Sequence, residues 1–122
     1  MAGSKLIIYL VDDDDAVRDS TRFLLESSGY LIREFASPAE FLEADQSNMG
    51  CLLLDLHMPG ISGLEVLKHL RSNGCDRPVF IISGRRDPVQ DAELQEAGAS
   101  ALLAKPFDEQ ELLNLVDHAL AI

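Results

Sequence analysis

Residues 6–13 read Leu-Ile-Ile-Tyr-Leu-Val-Asp-Asp, which is a continuous apolar run that ends in two carboxylates. Three later apolar runs also stop at a polar residue, and the four segments are residues 6–13, 51–55, 79–83 and 101–105. Short apolar runs that are separated by helix-length amphipathic stretches are typical of strands buried in a parallel sheet. The sequence therefore predicts an α/β fold with helices on both faces of its sheet.

Strand and helix patterns alternate five times along the chain. The predicted strands are about residues 5–11, 30–35, 51–55, 79–82 and 101–104. The predicted helices begin near Asp14 or Asp15 and at Ser37, and cover about residues 62–72, 88–97 and 108–120. Right-handed crossovers give a parallel sheet with helices on both faces, and for five strands the leading arrangement is a flavodoxin-like, doubly wound (βα)5 sandwich with the order 2-1-3-4-5. No linker or repeat interrupts the pattern, so we expect residues 1–122 to form a single domain.

The helix signals differ in strength. Ser37, Pro38 and Glu40 combine an N-cap serine, a proline at the first helical position and a capping-box glutamate. The segment 88–97 is poorly amphipathic, so we expect it to be the least stable helix. Much of the apolar side of the first helix is assigned to Val17, Phe23, Leu24 and Leu25, and Gly29 is expected to end this helix.

Composition and charge exclude several classes of function. The chain of 122 residues is 47% hydrophobic and 25% charged, as in an ordinary globular domain. Its net charge of −11 argues against direct binding of nucleic acid or anionic lipid. No apolar run approaches the roughly 18 residues of a membrane span, and no secretory signal pattern is present. Cys51 and Cys75 lack disulfide-framework or zinc spacing, so we expect a reducing, cytoplasmic location, with Cys51 a buried hydrophobic residue.

The polar residues at the strand ends form the candidate site. Ligands of open parallel sheets bind beyond the carboxyl ends of the strands, near the point where the strand order reverses. Crowded carboxylates repel one another unless a cation neutralises them, and Mg2+ takes oxygen ligands together with phosphate. We therefore predict a site for Mg2+ and a phosphoryl group. Its three carboxylates, hydroxyl and ammonium come from Asp12, Asp13, Asp55, Ser83 and Lys105.

Each of these residues also has a simpler interpretation. Taken alone, Asp55 reads as a turn residue, Ser83 as a helix cap and Lys105 as a surface lysine. Asp14 and Asp15 are better explained as residues that cap a helix and favour the positive end of its dipole. As a set, however, a carboxylate nucleophile, a metal site and a lysine are what phosphoryl transfer to Asp55 requires.

Four segments of the chain resemble the receiver domain of bacterial two-component response regulators, a CheY-like superfamily. They are residues 10–13 (Leu-Val-Asp-Asp), 54–63 (Leu-Asp-Leu-His-Met-Pro-Gly-Ile-Ser-Gly), 82–84 (Ile-Ser-Gly) and 104–107 (Ala-Lys-Pro-Phe). Each segment is a weak signal alone, but all four in this order at strand ends are highly specific. The resemblance covers about residues 6–120. The segment that begins with Ser83 and Gly84 is more similar to the receivers of FixJ-type regulators, which precede a helix-turn-helix domain.

The resemblance implies a phosphoacceptor and a metal site. Asp55 would receive a phosphoryl group from a histidine kinase or a phosphotransfer protein, with Mg2+ as the cofactor. Asp13 and Asp55 would bind Mg2+ through their carboxylates, His57 through its backbone carbonyl and Asp12 through water. The chain would catalyse only its own phosphorylation and dephosphorylation, so it is not expected to be an enzyme in the usual sense.

The resemblance also implies a switch. Ser83 would move to donate a hydrogen bond to the phosphoryl group, Lys105 would pair with that group, and the Lys105–Pro106 bond is commonly cis in the family. The surface formed by helix 4, strand 5 and helix 5 would then change between two states, and it is also a candidate homodimer interface. The chain departs from the family at Leu102, where a Tyr or Phe is usual. Coupled switching of an aromatic side chain is therefore in doubt, whereas phosphorylation is not.

Three other functions are compatible with parts of the sequence. A pseudo-receiver would keep the fold as a protein-binding surface that works without phosphorylation, and Leu102 favours it. A phosphatase with an aspartate nucleophile would place an acid–base aspartate where this chain has His57. A flavodoxin-like nucleotide binder would need a phosphate-binding loop of glycine, serine or threonine after strand 1, where this chain has aspartates. The phosphorylatable receiver remains the leading hypothesis.

Overall fold

Strands and helices alternate five times in the computed structural model, which describes residues 6–85 and 87–120. The prediction of an α/β fold with five βα units is confirmed. Most boundaries lie within one or two residues of those predicted, and the predicted start of strand 1 at residue 5 lies outside the described residues. The elements are β1 (Ile7–Val11), α1 (Asp15–Ser27), β2 (Leu31–Phe35), α2 (Pro38–Glu43), β3 (Met49–Asp55), α3 (Gly63–Ser72), β4 (Val79–Ser83), α4 (Pro88–Glu96), β5 (Ala101–Ala104) and α5 (Glu109–Leu120).

The five strands form one parallel sheet with the order β2-β1-β3-β4-β5, as predicted. The register decides which strand ends are neighbours. Val11 pairs with Leu54, so the residues that follow them, Asp12 and Asp55, lie side by side at the carboxyl edge of the sheet. Ser83, the last residue of β4, pairs with Ala104, the last residue of β5. Lys105 therefore follows β5 at the same carboxyl edge of the sheet.

Two apolar clusters cover the two faces of the sheet. Alternate residues of a strand point to opposite faces, and in β1 Tyr9 belongs to one cluster whereas Leu10 belongs to the other. Helices α2, α3 and α4 contribute to the Tyr9 cluster, and helices α1 and α5 contribute to the Leu10 cluster. Cys51 is fully buried in the second cluster, as expected from its position in an apolar run. Because β1 and β3 are buried on both faces, their sequences are continuously apolar rather than alternating.

The apolar side of α1 was predicted incorrectly at one position. Phe23 is 73% exposed, whereas Thr21 and Leu25 are the buried residues of this helix. Two residues correspond to a rotation of about 200° around a helix, so Phe23 and Leu25 cannot both face the sheet. The predicted ends of α1 are confirmed. Asp14 caps the helix by accepting hydrogen bonds from the backbone of the first turn, and Gly29 follows it with a φ of 94°.

The capping of α2 differs from the prediction in one detail. Ser37 is the N-cap and its hydroxyl accepts a hydrogen bond from Glu40 N, as expected. The Glu40 carboxylate, however, accepts from the Ser37 hydroxyl and from Ala36 N, one residue before the predicted donor. A complete capping box occurs instead at α3, between Ser62 and Glu65.

Helix α4 makes few apolar contacts with the rest of the domain. Leu94 is its buried residue, and Val89 in its first turn is 71% exposed. This agrees with the poorly amphipathic sequence, and the low stability of α4 remains a prediction. None of the helices in the described part of the chain is long and apolar enough to cross a membrane.

Candidate functional site

The carboxyl edge of the sheet carries all five predicted polar residues. Asp12 and Asp13 follow β1, Asp55 ends β3, Ser83 ends β4 and Lys105 follows β5. The ladder continues briefly beyond the strands, since Lys105 N donates to Ser83 O at 2.8 Å. The parallel sheet therefore fixes the backbone at the base of each of these side chains.

Three carboxylates converge at this edge. One carboxylate oxygen from each of Asp12, Asp13 and Asp55 lies within 4.8 Å of the others. Asp12 and Asp55 are only 1% and 6% exposed, whereas Asp13 is exposed. Several oxygen ligands with partial access to water are what a hard divalent cation such as Mg2+ requires. The donor set therefore fits a magnesium ion.

Lys105 contacts the two buried carboxylates together. Its Nζ lies 3.3 Å from Asp12 Oδ2 and 3.5 Å from Asp55 Oδ2. One ammonium cannot balance three carboxylates, so the site retains an excess of negative charge when all of them are ionised. This excess favours a further cation and disfavours an anion that arrives without one.

The pKa values of the buried pair respond to this crowding. Burial raises the pKa of Asp55, and the neighbouring Asp12 carboxylate raises it further, whereas Lys105 and the His57 N–H act in the opposite direction. For Lys105, burial acts to lower the pKa, but the carboxylates of Asp55 and Asp12 outweigh it and the pKa lies above its ordinary value. The ammonium is therefore kept charged, and the ionised form of Asp55 is held at an electrostatic cost.

Both buried carboxylates are oriented by the backbone. Asp12 Oδ1 accepts a hydrogen bond from Asp14 N at 2.9 Å, and Asp55 Oδ1 accepts one from His57 N at 3.3 Å. In each residue this leaves Oδ2 facing Lys105. Asp55 Oδ2 is thus the oxygen that a cation-bound electrophile would meet beside the ammonium.

Ser83 is buried at the same edge, but its hydrogen bonds are made to its own loop. The hydroxyl donates to Arg85 O at 2.5 Å and accepts from Arg85 N at 3.1 Å. An open cleft of about 450 Å³ lies beside it and is lined by Asp55, His57, Gly84, Arg85 and Lys105. The structure therefore places Ser83 next to the cleft with its hydroxyl proton committed to the loop backbone.

The remaining predicted residues have different surroundings. The His57 side chain is exposed, which leaves its backbone as the part close to the site. The Lys105–Pro106 peptide bond is cis. Leu102 is half-buried and packs against the Tyr9 cluster. It therefore lies on the opposite face of β5 from Leu103, which belongs to the Leu10 cluster.

Sequence reasoning missed Arg18. Its guanidinium donates to Asp12 O at 2.7 Å, to Glu34 Oε1 at 3.2 Å and to Asp15 Oδ1. The hydrogen bond to Asp15 is the main cause that raises the pKa of Arg18. The spacing of Asp15 and Arg18 on a helix is a weak signal of an ion pair, but nothing local indicates a contact with Glu34 in β2 or with the backbone at Asp12.

Comparison with known proteins identifies the family to which this fold belongs. The family described as the response regulator receiver domain matches residues 8–117. The chain is 42% identical over 116 residues to the transcriptional regulatory protein FixJ of Azorhizobium caulinodans, which covers 94% of this chain and 55% of that protein. It is 36% identical over 114 residues to FixJ of Bradyrhizobium diazoefficiens, which covers 93% of this chain and 56% of that protein.

Solved structures of two response regulators superimpose closely on this chain. The response regulator StyR superimposes with a TM-score of 0.88 at 36% identity over 96% of this chain and 60% of that one. Full-length FixJ from B. japonicum superimposes with a TM-score of 0.87 at 35% identity over 97% of this chain and 59% of that one. The chain spans about half the length of the curated relatives that it matches. With the acidic residues and Lys105 at the carboxyl edge of the sheet, these matches establish that the chain belongs to the response regulator receiver domain family of two-component signalling and not to a classical enzyme family.

Proposed function

We propose that this chain accepts a phosphoryl group on Asp55 from a histidine kinase or a phosphotransfer protein, in a reaction that depends on Mg2+. The observation that carries the proposal is the position of Asp55 Oδ2, which faces Lys105 at 3.5 Å within a cluster of three carboxylates. Membership of the receiver family supports the same residue. The excess negative charge around this buried carboxylate favours a bound cation, and a bound cation would allow a negatively charged phosphoryl group to approach Asp55.

The metal ligands in this proposal are oxygen atoms. Asp13 and Asp55 would bind Mg2+ through their carboxylates, Asp12 through water and His57 through its backbone carbonyl. The mutual distances of the carboxylates support this set, because their ligand oxygens lie within 4.8 Å of one another, close enough for small side-chain movements to bring two of them to one ion while the third acts through water. When bound, Mg2+ supplies positive charge that offsets the negative charge of the carboxylates and of the phosphoryl oxygens.

The chemical step belongs to Asp55 and Lys105. In transfer from a phosphohistidine, Asp55 Oδ2 would form a bond to phosphorus while the bond from phosphorus to the imidazole nitrogen breaks, and the histidine would keep the electron pair. The hydrogen bond from His57 N orients Oδ1 and directs Oδ2 to the cleft. Lys105 remains protonated and is close enough to pair with a phosphoryl oxygen once Asp55 is esterified.

Ser83 would connect the site to the surface. Its hydroxyl has one proton, which is now donated to Arg85 O, so a bond to a phosphoryl oxygen requires that this contact be broken. The loop between β4 and α4 would then move, and with it the surface formed by α4, β5 and α5. We propose this surface as the output of the domain and as a candidate homodimer interface. Direct binding of nucleic acid by this domain is not part of the proposal, and a cytoplasmic location is proposed on family membership.

Intact-mass spectrometry after incubation with acetyl phosphate, with and without Mg2+, tests the proposal. We expect a gain of one phosphoryl group that requires Mg2+ and is absent in Asp55→Asn. Asp76→Asn removes an exposed carboxylate remote from the site and is the matched control, which should be phosphorylated like the parent chain. No gain in the parent chain under any condition would refute the proposal and favour a pseudo-receiver that binds partners without phosphorylation.

A further inference from the structure

We propose that Arg18 is a positioning residue that holds the backbone of the Asp12–Asp13 segment in the geometry required for cation binding. The inference rests on the proposed magnesium site and assigns to it a residue that makes no contact with the cation. Arg18 lies in α1, five residues after Asp13, and only 12% of its side chain is exposed. Its three contacts join β1, β2 and α1 at one point.

The contact that matters for the site is the one to Asp12 O. Nη1 of Arg18 donates to this carbonyl at 2.7 Å, the length of a strong, charge-assisted hydrogen bond. The carbonyl belongs to the peptide group that joins Asp12 to Asp13, and a peptide group is planar. Fixing its oxygen therefore fixes the direction in which the backbone enters Asp13. Asp13 is exposed, so packing contributes little to the position of its carboxylate.

The guanidinium is itself anchored outside the loop. Nε donates to Glu34 in β2 at 3.2 Å and Nη2 donates to Asp15 in the first turn of α1. The planar fork of an arginine holds these directions together, which a lysine cannot do. Asp12 N is held in addition by Phe35 O of β2 at 3.2 Å. The segment that carries two of the three carboxylates is thus tied to the edge strand on both sides of Asp12.

A positioning role and a purely electrostatic role predict opposite effects on metal binding. Arg18 is a cation close to a site for a cation, so removing its charge by itself would strengthen binding of Mg2+. Losing the hydrogen bond to Asp12 O would instead let the Asp12–Asp13 segment adopt other conformations. The apparent Kd for Mg2+ would then rise in proportion as the fraction of the binding-competent conformation falls. The sign of the change therefore separates the two explanations.

Arg22 offers a matched control. It pairs with the same Glu34, at 2.7 Å, and lies one helical turn further along α1, but no contact joins it to Asp12 in the described part of the chain. Arg22→Met therefore removes the same charge and disturbs the same partner without releasing the loop. Arg18→Met and Arg22→Met differ in the one contact that the proposal concerns.

The experiment is a calorimetric titration of the unphosphorylated protein with MgCl2 at constant ionic strength. We expect Arg18→Met to raise the Kd for Mg2+ at least fivefold and Arg22→Met to change it by less than twofold. The rate of phosphorylation by acetyl phosphate should fall in Arg18→Met at low Mg2+ and return to within twofold of the parent rate at saturating Mg2+, because Asp55 and Lys105 are untouched. A Kd that is unchanged or lower in Arg18→Met would overturn the proposal, as would a rate that stays low at saturation.

A second variant keeps the test decisive if Arg18→Met does not fold. Arg18→Lys keeps the charge but cannot maintain all three contacts, so we expect a Kd at least threefold above that of the parent chain, and an unchanged Kd would count against the proposal. A parent chain that does not bind Mg2+ would overturn the magnesium site and this inference together. A parent chain that binds Mg2+ while both Arg18 variants bind equally well would overturn only the role of Arg18.

Discussion

Replacing Asp55 by asparagine should stabilise the domain in the absence of divalent cations. Asparagine has nearly the same shape as aspartate, so the substitution removes a buried negative charge and leaves the packing intact. We expect the free energy of unfolding at pH 7 to rise by about 1 kcal/mol, which corresponds to an increase in Tm of about 4 °C for a domain of this size. Removing the Asp55 charge would thus give a more stable protein.

The magnitude follows from the distances in the site. At an effective dielectric constant of about 20, the attraction between Lys105 and Asp55 at 3.5 Å is about 4.7 kcal/mol. Repulsion between two carboxylate oxygens 4.8 Å apart is about 3.5 kcal/mol, and Asp55 has two such neighbours in Asp12 and Asp13. Asp13 is exposed and its repulsion is reduced by solvent. The repulsions and the attraction therefore nearly cancel, and burial of the Asp55 charge decides the sign of the effect.

The effect should depend on pH in a definite direction. Burial, followed by the Asp12 charge, raises the pKa of Asp55 above its ordinary value of 3.8 in the folded protein. The folded state thus prefers the neutral carboxyl, so the contribution of Asp55 to stability is fully present below pH 3.8 and is lost as the pH rises through the raised pKa. The advantage of Asp55→Asn should be largest near pH 7 and should disappear near pH 4.

Urea denaturation in buffer with a chelator, at several pH values, measures this difference. Asp76→Asn removes an exposed carboxylate for which no effect above a few tenths of a kcal/mol is expected, and Lys105→Met should destabilise the domain because it leaves two buried carboxylates without their cation. Adding Mg2+ at ten times its Kd should stabilise the parent chain by about 1.4 kcal/mol and Asp55→Asn by less. If Asp55→Asn is less stable than the parent chain at pH 7 while Asp76→Asn is unchanged, the electrostatic reasoning is refuted.

Three further predictions concern the scaffold. Leu25→Ala should lower the free energy of unfolding by about 2–4 kcal/mol because Leu25 is fully buried, whereas Phe23→Ala should change it by less than about 0.5 kcal/mol, and chemical denaturation of both variants tests the corrected face of α1. Ser62→Ala removes the hydroxyl that caps α3 and should lower the same free energy by about 1 kcal/mol in the same assay. Burial and a hydrogen bond to a carboxylate raise the pKa of Tyr30 to about 12, so Tyr30→Phe should remove a phenol that ionises near pH 12 from an absorbance titration, and loss of a phenol that ionises near pH 10 would contradict this.

Much of the fold could be predicted because the signals are local. The apolar runs predict the strands, right-handed crossovers predict a parallel sheet with helices on both faces, and the order follows from choosing the flavodoxin-like arrangement for five strands. The start of β3 was missed because Gly50 is a poor strand residue in sequence. A Cβ at this position would lie 2.5 Å from Leu120 Cδ2 and 2.8 Å from Leu6 Cβ. The end of the Leu120 side chain could move, so the glycine is required mainly by the close approach of Leu6. That approach is a tertiary contact and leaves no local pattern.

The site shows the same division between local and distant information. The chain order of strand ends was enough to predict that Asp12, Asp55 and Lys105 meet, because a parallel sheet gathers its carboxyl ends. The role of Arg18 could not be predicted in this way, since Glu34 lies 16 residues away on a different element. The hydrogen bond of Ser83 to Arg85 is local, but its direction depends on the conformation of a loop that the sequence does not specify.

The leucine at position 102 restricts how phosphorylation of the site could change the surface of the domain. An aromatic residue at this position could alternate between solvent and interior, but Leu102 already packs against the Tyr9 cluster and has no hydroxyl to return to water. Its burial would then differ little between two states of the domain, and we expect it to contribute little free energy to the proposed switching. In the proposed mechanism the Ser83 hydroxyl, which now donates a hydrogen bond to Arg85 O, would therefore have to drive the change.

We expect the amino end of helix α4 to move with the loop that begins at Ser83. It buries Leu94 alone among its described side chains, so displacing its first turns exposes little apolar surface. Its carboxyl end is tied more firmly, because Arg71 of α3 donates to Gly98 O at 2.7 Å and Ala99 N donates to Leu94 O. A displacement that begins at Ser83 should therefore move the amino end of α4 while its carboxyl end stays attached to α3. We expect the signalling motion to be a pivot of α4 about this attached end, because the amino end of the helix follows the loop that begins at Ser83 whereas the carboxyl end is joined to α3.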